Sequence, residues 1–341
     1  MIKELPIIDN PWIQTYQIRN FELGILQNQV PWIYGKYINC CCHKKSFTHC
    51  IGSHGRFFTK DNAMLMQKFK FDKSIFENSN WNFVEFVKNM IDHHWYVMGD
   101  FDEYYIRVKD AYNRYHFRHW AFIYGYDDIS ETFLTIGYTR GGKYKKYVMS
   151  FDEYNNAIKV EFDQESDKYV KKHIDRIEFY AVKINPQYNF QLNLNDIYVG
   201  IADYLQSKDS YDNNVEDFYG IECERKFGEY ILNIVQNDEM IDIRFSRLFM
   251  ELKDIMLNRL NYLYSTSVIS EDLVTQYESI SSKQNVVHML CIKYNMTHNE
   301  QILNKISDII SEVICLEQKV LPKINEEIYK VIKSENKRKY C

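Results

Sequence analysis

The chain has 341 residues and a net charge of −5, with 47 acidic and 42 basic side chains. That charge gives no general attraction to nucleic acid or acidic membranes, and hydrophobic residues at 45% with charged residues at 26% are ordinary for a globular protein. No apolar run approaches 18 residues, so no membrane-spanning helix is predicted. The first residues, MIKELPIIDNPW, lack the pattern of a signal peptide. Eight cysteines without such a peptide indicate reduced thiols, and we therefore expect a cytoplasmic protein.

The stretch YINCCCHKKSFTHC (37–50) contains four of the eight cysteines and two of the ten histidines. Structural zinc sites use spaced ligand pairs, whereas Cys40, Cys41 and Cys42 are contiguous and no second pair follows, so we expect no metal site. Buried thiols that behave as small hydrophobic side chains are one interpretation. A nucleophile is the other: the strand-like run WIYGKYIN leads into Cys40, and a helix is predicted after it. A helix N-terminus would lower the pKa of that thiol.

The next elements mix helices and strands. Apolar residues at helical spacing predict a helix over 80–94, and an aromatic run predicts a strand over 95–106. A hairpin is predicted over 119–139, with strands Trp120 to Tyr126 and Thr132 to Tyr138 and a turn at DDIS. His119 begins the first of these strands and is a candidate general base.

Beyond about residue 190 the apolar pattern becomes helical. One helix is predicted over 246–264. The segment 300–335 predicts two helices, with Pro322 interrupting them or starting the second. We therefore expect an α+β domain over 1–185 and a mainly helical domain over 186–341.

Several segments carry a resemblance to a known family: INCCCHKKSFTHCI (38–51), DFDEYYI (100–106) and the hairpin region 116–158. They resemble a papain-fold family from gene clusters for non-ribosomal peptides and related products, of which the butirosin acyltransferase is a member. Helical segments within 194–263 are similar to the second half of the same proteins. The chain also resembles the amide synthetases of polythioamide assembly, protease-fold proteins that make amides.

The resemblance implies a papain-like cysteine-protease fold for the N-terminal domain and an amide-forming acyltransferase activity. In this family an acyl group passes from a carrier-protein thioester, through a cysteine thioester, to an amine. The expected partners are an acyl or peptidyl carrier protein and a small amine, with no nucleic acid and no membrane. No bound cofactor is implied, because phosphopantetheine arrives on the carrier protein as the acyl donor. A thiol hydrolase or peptidase of the same fold, and a non-catalytic binding protein with a structural cysteine cluster, remain alternatives.

Residue by residue, the resemblance places the nucleophile at Cys40 and the base at His119. Cys41 and Cys42 stay open as nucleophiles if the register slips. Ser46 and Phe47 fall on the helix expected after Cys40.

The third catalytic residue departs from the family pattern. Relatives place an Asp or Asn on the returning strand of the hairpin, where this chain has Gly137. One interpretation is a Cys–His dyad without a third residue. In the other, an Asp from elsewhere orients His119, with Asp102 in DFDEYY as our first choice, ahead of Asp127 in the turn. The upstream glutamine of the oxyanion hole is also not evident, since position 34 is Tyr; backbone N–H groups at the helix start are the substitute.

Two further sets of residues are predicted from their chemistry. Aromatic side chains are expected to line the substrate pocket, with Tyr34, Tyr104 and Trp120 as candidates and core packing as the alternative. The loop TRGGKYKKY (139–147) is a candidate docking site for an acidic carrier protein. Its basic residues are Arg140, Lys143, Lys145 and Lys146, and a solvated basic turn is the alternative interpretation.

Overall fold

The structure, a computed structural model, describes residues 1–45, 49–51, 65–72, 82–158, 178–211, 214–237 and 239–339. The chain divides into two compact units. The first consists of Met1–Gln27 and Phe57–Asn189, and the second of Asn28–Arg56 and Phe190–Cys341. The mixed α+β character is confirmed, with an antiparallel sheet in the first unit and mostly helices in the second.

The first unit is built on an antiparallel sheet with the strand order β4-β9-β5-β6-β7-β8, and β1 pairs with β6. Its strands are β1 (Ile2–Glu4), β4 (Met66–Asp72), β5 (Tyr96–Asp102), β6 (Arg118–Asp127), β7 (Thr132–Thr139), β8 (Lys143–Ser150) and β9 (Glu178–Ile184). Its helices are α1 (Gln17–Leu26), α3 (Phe83–Asp92) and α4 (Phe151–Ile158).

The predicted hairpin is confirmed as β6 and β7. Its turn is held by Asp127, whose carboxylate accepts hydrogen bonds from the Ile129 N–H and the Ser130 hydroxyl, as Asp commonly does in turns. The predicted helix over 80–94 is α3. Its N-cap is Asn82, which accepts the N–H groups of Val84 and Glu85.

Aromatic side chains pack helices on the sheet. Phe21 of α1 stacks on Phe122 of β6 with ring centroids 4.8 Å apart. Tyr154 of α4 is fully buried and contacts Phe101 of β5 and Phe133 of β7 at centroid distances of 5.5 and 4.8 Å. This packing fixes β5, β6 and β7 as the rigid base for the residues described below.

The second unit combines helices with a small antiparallel sheet of order β10-β2-β3. Its strands are β2 (Cys40–His43), β3 (His49–Ile51) and β10 (Asp217–Tyr219). Its helices are α2 (Val30–Ile33), α5 (Leu194–Leu205), α6 (Ile221–Asn237), α7 (Ile243–Ser265), α8 (Glu271–Thr297) and α9 (Glu300–Lys339).

The local structure around Cys40 is the reverse of the prediction. The run WIYGKYIN lies in α2 and the turns after it, and Cys40 begins a strand where a helix was predicted. The helix prediction is wrong because β2 is the central strand of the small sheet and pairs with β3 and β10, where Cys41 lies opposite Cys50 and Tyr219. The pairing with β10 is distant and leaves no local trace in the sequence. Ser46 and Phe47 lie outside the described residues.

Gly220 connects β10 to α6 in a conformation that only glycine accepts easily. Its φ is +55°, and a Cβ at this position would lie 2.2 Å from the Tyr204 carbonyl oxygen. Its N–H donates to the Cys40 carbonyl at 3.0 Å. The glycine thus lets the chain turn tightly against β2.

The C-terminal segment forms one helix where two were predicted. Pro322 lies inside α9, which continues to Lys339. Pro322 has no N–H for the helix ladder, and its apolar neighbours Val320, Leu321 and Ile324 are buried. Tertiary packing therefore outweighs the proline.

No helix in the described part of the chain is long and apolar enough to cross a membrane.

Candidate active site

His119 is held by a buried carboxylate in the first unit. His119 lies at the start of β6, directly opposite Phe101 of β5. Strand β5 ends at Asp102 and passes into a 3-10 turn, Glu103–Tyr105. From this turn the Glu103 side chain reaches His119, with Nδ1 and Oε1 2.9 Å apart.

A second cation contacts the same carboxylate oxygen. The ammonium of Lys109, a buried side chain, lies 3.0 Å from Glu103 Oε1 and donates to the Tyr138 carbonyl at 2.5 Å. Burial alone would raise the pKa of Glu103, but hydrogen bonds and charges from His119 and Lys109 outweigh it and lower that pKa. Glu103 is therefore ionised at neutral pH.

An ionised carboxylate can only accept hydrogen bonds, so Nδ1 of His119 carries the proton and donates it. The imidazole is 32% exposed, and among the described residues none hydrogen-bonds to Nε2. Its ring lies beside Phe117 and Tyr138, with centroids 5.5 and 6.4 Å away. A carboxylate on Nδ1, and an Nε2 to which no described residue hydrogen-bonds, are the arrangement of a general base.

Asp102, our first choice to orient His119, contacts a different histidine. Its Oδ2 lies 2.6 Å from Nδ1 of His116, and its Oδ1 accepts the N–H groups of Tyr104 and Phe117, each at 3.0 Å. Its side chain is completely buried, while His116 is 46% exposed. Two neighbouring acids thus each hold one imidazole, and the one on His119 is Glu103.

Gly137 stands where the resemblance led us to expect an orienting Asp or Asn. A Cβ at Gly137 would lie 3.1 Å from Gln17 Nε2 and 3.9 Å from Lys109 Nζ. The amide of Gln17 is fixed there because it donates to the Trp120 carbonyl. The space beside Gly137 is therefore occupied, and the carboxylate that contacts His119 comes from the turn of Glu103 instead.

Cys40 belongs to the second unit and has no exposed surface. Its Sγ lies 3.5 Å from the Gly220 carbonyl oxygen and borders a cavity of about 10 Å³, close to the room needed for one water molecule. Tyr204, Glu224 and Lys253 line the same cavity. The thiol is therefore shielded from solvent in this structure.

The neighbouring thiols are poor nucleophiles at neutral pH. Cys41 and Cys42 are also buried. Burial, followed by the charge of Cys40, raises the pKa of Cys42 to about 12. Burial, with Cys40 as a hydrogen-bond neighbour, raises the pKa of Cys223 well above its usual value. Cys42 and Cys223 therefore stay protonated and pack as small apolar groups.

The aromatic residues predicted for the substrate pocket lie in different surroundings. Tyr34 is buried in the second unit, where its ring packs on Tyr262 and its carbonyl accepts from Arg259. Tyr104 stacks on His116 at 4.4 Å in the first unit. Trp120, beside His119 in β6, stacks on Tyr180 at 5.6 Å. The structure therefore brings Tyr104 and Trp120, but not Tyr34, into the unit of His119.

The basic residues predicted for docking also divide. Arg140 is engaged by backbone, donating to the carbonyls of residues 107 and 109. Lys143, Lys145 and Lys146 lie exposed on β8, an outer strand of the sheet. Lys146 also lies 3.5 Å from Glu4.

The sequence prediction missed Glu103 and Lys109. Alternation along β5 was the available signal: Phe101 is opposite His119, and residues two apart share a face of a strand. By this alternation Glu103 falls on the same face of the sheet as His119, and Asp102 falls on the opposite face.

Comparisons with known proteins return no family for this chain: no protein-family model matches it, and no curated protein matches it. Among the described residues, no three His, Cys, Asp or Glu side chains are grouped as metal ligands.

Proposed function

We propose that this chain is an amide-forming acyltransferase with a papain-like catalytic domain. It moves an acyl group from a carrier-protein thioester to a small amine, with His119 as the general base. The observation that carries the proposal is the contact between His119 Nδ1 and the buried, ionised Glu103. The imidazole is partly exposed, and no described residue hydrogen-bonds to its Nε2. The hairpin that carries His119 supports the family assignment suggested by the sequence.

The chemistry needs one base and no added energy source. The amine nitrogen attacks the thioester carbonyl carbon, a C–N bond forms and the C–S bond breaks. His119 Nε2 takes the proton that the amine loses and passes it to the departing thiolate. An amide is more stable than a thioester, so the reaction runs forward without ATP.

In the first candidate route, Cys40 acts as a covalent relay. Its thiol displaces the carrier thiol and receives the acyl group, and the amine then attacks the acyl-enzyme. Because Cys40 is buried and contacts Gly220, this route requires the thiol to become exposed first. Direct attack of the amine on the carrier thioester requires no such opening, and the burial of Cys40 favours this second candidate route.

The expected carrier partner is acidic and carries phosphopantetheine as the donor arm. Exposed Lys143, Lys145 and Lys146 on β8 support docking of such a partner on the first unit. Charged surface residues act mainly on the association rate, so their replacement is expected to slow loading by the carrier more than by a small thioester.

The test uses an acyl N-acetylcysteamine thioester with and without a primary amine. Intact mass reads acylation of the protein, and chromatography with mass detection reads the amide. We expect His119→Ala to lose amide formation, while His93→Ala, an exposed histidine of the same unit bonded to the Asn89 carbonyl, retains it. Cys40→Ser separates the two routes, with the buried Cys291→Ala as its control.

Each outcome selects one reaction route or one function. An acyl adduct that disappears in Cys40→Ser selects the covalent route, and amide formation that survives in Cys40→Ser selects the direct route. Release of free acid with no amide selects the thiol hydrolase. Absence of adduct, acid and amide in the wild-type protein would overturn the enzyme proposal and favour the binding protein.

A further inference from the structure

Lys109 is a buried cation without a direct role in the reaction above. Its side chain is 2% exposed, and its ammonium lies 3.0 Å from Glu103 Oε1, the oxygen that also accepts from His119. The same ammonium donates to the Tyr138 carbonyl and lies 5.0 Å from the centre of the Tyr147 ring. Three contacts on three sides fix its position.

A buried carboxylate needs a compensating positive charge. Glu103 has two neighbours that can supply it, the ammonium of Lys109 and a protonated imidazole of His119. Burial would lower the pKa of Lys109, but Tyr147 and Glu103 outweigh burial and raise it. Lys109 is therefore already charged at neutral pH, and Glu103 does not require a proton on His119.

We propose that Lys109 is a positioning residue that supplies the counter-charge of Glu103 and thereby keeps His119 neutral, with its proton on Nδ1. The base is then ready at neutral pH, because Nε2 holds a lone pair. Without Lys109, the buried carboxylate would draw a second proton onto the imidazole and turn the base into an acid. This inference deepens the proposed function, since it concerns the same histidine.

Other charged groups nearby are engaged with partners of their own. Asp102 holds His116, Arg118 contacts Asp100 at 3.4 Å, and Glu153 contacts Arg107 at 3.0 Å. From β7 and β8, the groups that face the cluster are the rings of Tyr138 and Tyr147. Among the described residues, Glu103 thus contacts His119 directly, and Lys109 contacts the same carboxylate oxygen.

The first experiment uses the unaltered full-length chain labelled with ¹⁵N-histidine. His119 is assigned by its loss from the spectrum of His119→Gln, and its ring nitrogens report charge and tautomer. At neutral pH we expect a neutral ring with the proton on Nδ1. A doubly protonated ring, or a proton on Nε2, would overturn the proposal.

The second experiment titrates His119 in variants. Lys109→Met should raise its titration midpoint, because the carboxylate of Glu103 loses its other cation. Glu103→Gln should lower the midpoint, because Lys109 remains. Lys109→Arg should restore the wild-type behaviour, and Lys70→Met, at an exposed lysine on β4, should leave it unchanged.

The outcomes separate this inference from the proposed function. A midpoint in Lys109→Met that stays constant or falls refutes the role of Lys109, whatever the activity. If the titration midpoints shift as expected but the protein forms no amide, the charge arrangement is supported and the acyltransferase activity is rejected. If Lys109→Met does not fold, the opposite shift in Glu103→Gln and the wild-type tautomer decide the question.

Discussion

Glu103 Oε1 meets both the imidazole of His119 and the ammonium of Lys109. In the proposed reaction the carboxylate therefore has two tasks: it orients the ring through Nδ1, and it stabilises the imidazolium that forms when Nε2 takes a proton. Asp102, one residue earlier, cannot share these tasks because three other donors occupy it.

Replacing Glu103 with Gln tests the electrostatic task. Gln keeps an oxygen that can accept from Nδ1, but it lacks the charge that stabilises the imidazolium. We expect amide formation to slow by about 10²-fold or more, within the range of general base catalysis. Glu85→Gln, in the exposed pair with Lys88, is the matched control and should retain the wild-type rate. A rate within about twofold of wild type in Glu103→Gln would remove Glu103 from the mechanism.

Glu103 also makes stability depend on pH. Its folded pKa lies below the unfolded value of 4.5, so it stabilises the fold above that pH. This contribution is lost as pH falls below 4.5 toward the folded pKa. Urea unfolding over this acid range should show a steeper loss of stability in the wild type than in Glu103→Gln. Identical slopes for the two proteins would contradict the lowered pKa.

At the scale of elements, what could be predicted depends on how far apart the partners lie. The hairpin β6–β7 was predictable because alternation and an Asp-rich turn are encoded within about twenty residues. Strand β2 was missed, because it is the central strand of its sheet and one of its two partners, β10, lies far away in the sequence, where Tyr219 is opposite Cys41. The Glu103 contact lay between these cases, since it required the register of β5 against β6.

Two buried helical glycines give opposite predictions for the same substitution. Ala is favoured over Gly within helices by about 0.5 to 1 kcal/mol. At Gly228 of α6 the new Cβ would lie 3.6 Å from Ile310, an ordinary contact, so Gly228→Ala should be stabilising. At Gly200 of α5 it would lie 2.7 Å from Ile38 Cδ1 and 3.2 Å from its Cβ, so Gly200→Ala should be destabilising.

Urea unfolding of the two glycine variants provides the measurement. Each serves as the other's control, because both change Gly to Ala in a helix of the second unit. Stabilisation in both variants would show that Ile38 moves aside without cost, and destabilisation in both would contradict the open space beside Gly228.

At the scale of the molecule, each unit has its own buried ionic cluster. In the second unit the Lys253 ammonium contacts Glu224 and lies 2.7 Å from Glu317 Oε1. The Tyr204 hydroxyl lies 2.6 Å from both Glu224 Oε1 and Glu317 Oε2, and Tyr277 donates to Glu317 at 2.9 Å. These five residues come from α5, α6, α7, α8 and α9, so one cluster joins five helices.

Lys253→Met would leave two buried carboxylates without their cation. Removing one partner of a buried ion pair costs about 3 to 5 kcal/mol, and we expect a loss of that size in the free energy of unfolding, with Lys319→Met on the exposed face of α9 as the control. Hydrogen exchange should rise in peptides of the second unit, where the five helices lie. Adding Glu317→Gln should restore part of the loss, because it removes the uncompensated charge. If the double variant is less stable than Lys253→Met alone, the cost comes from lost packing and not from the buried charge.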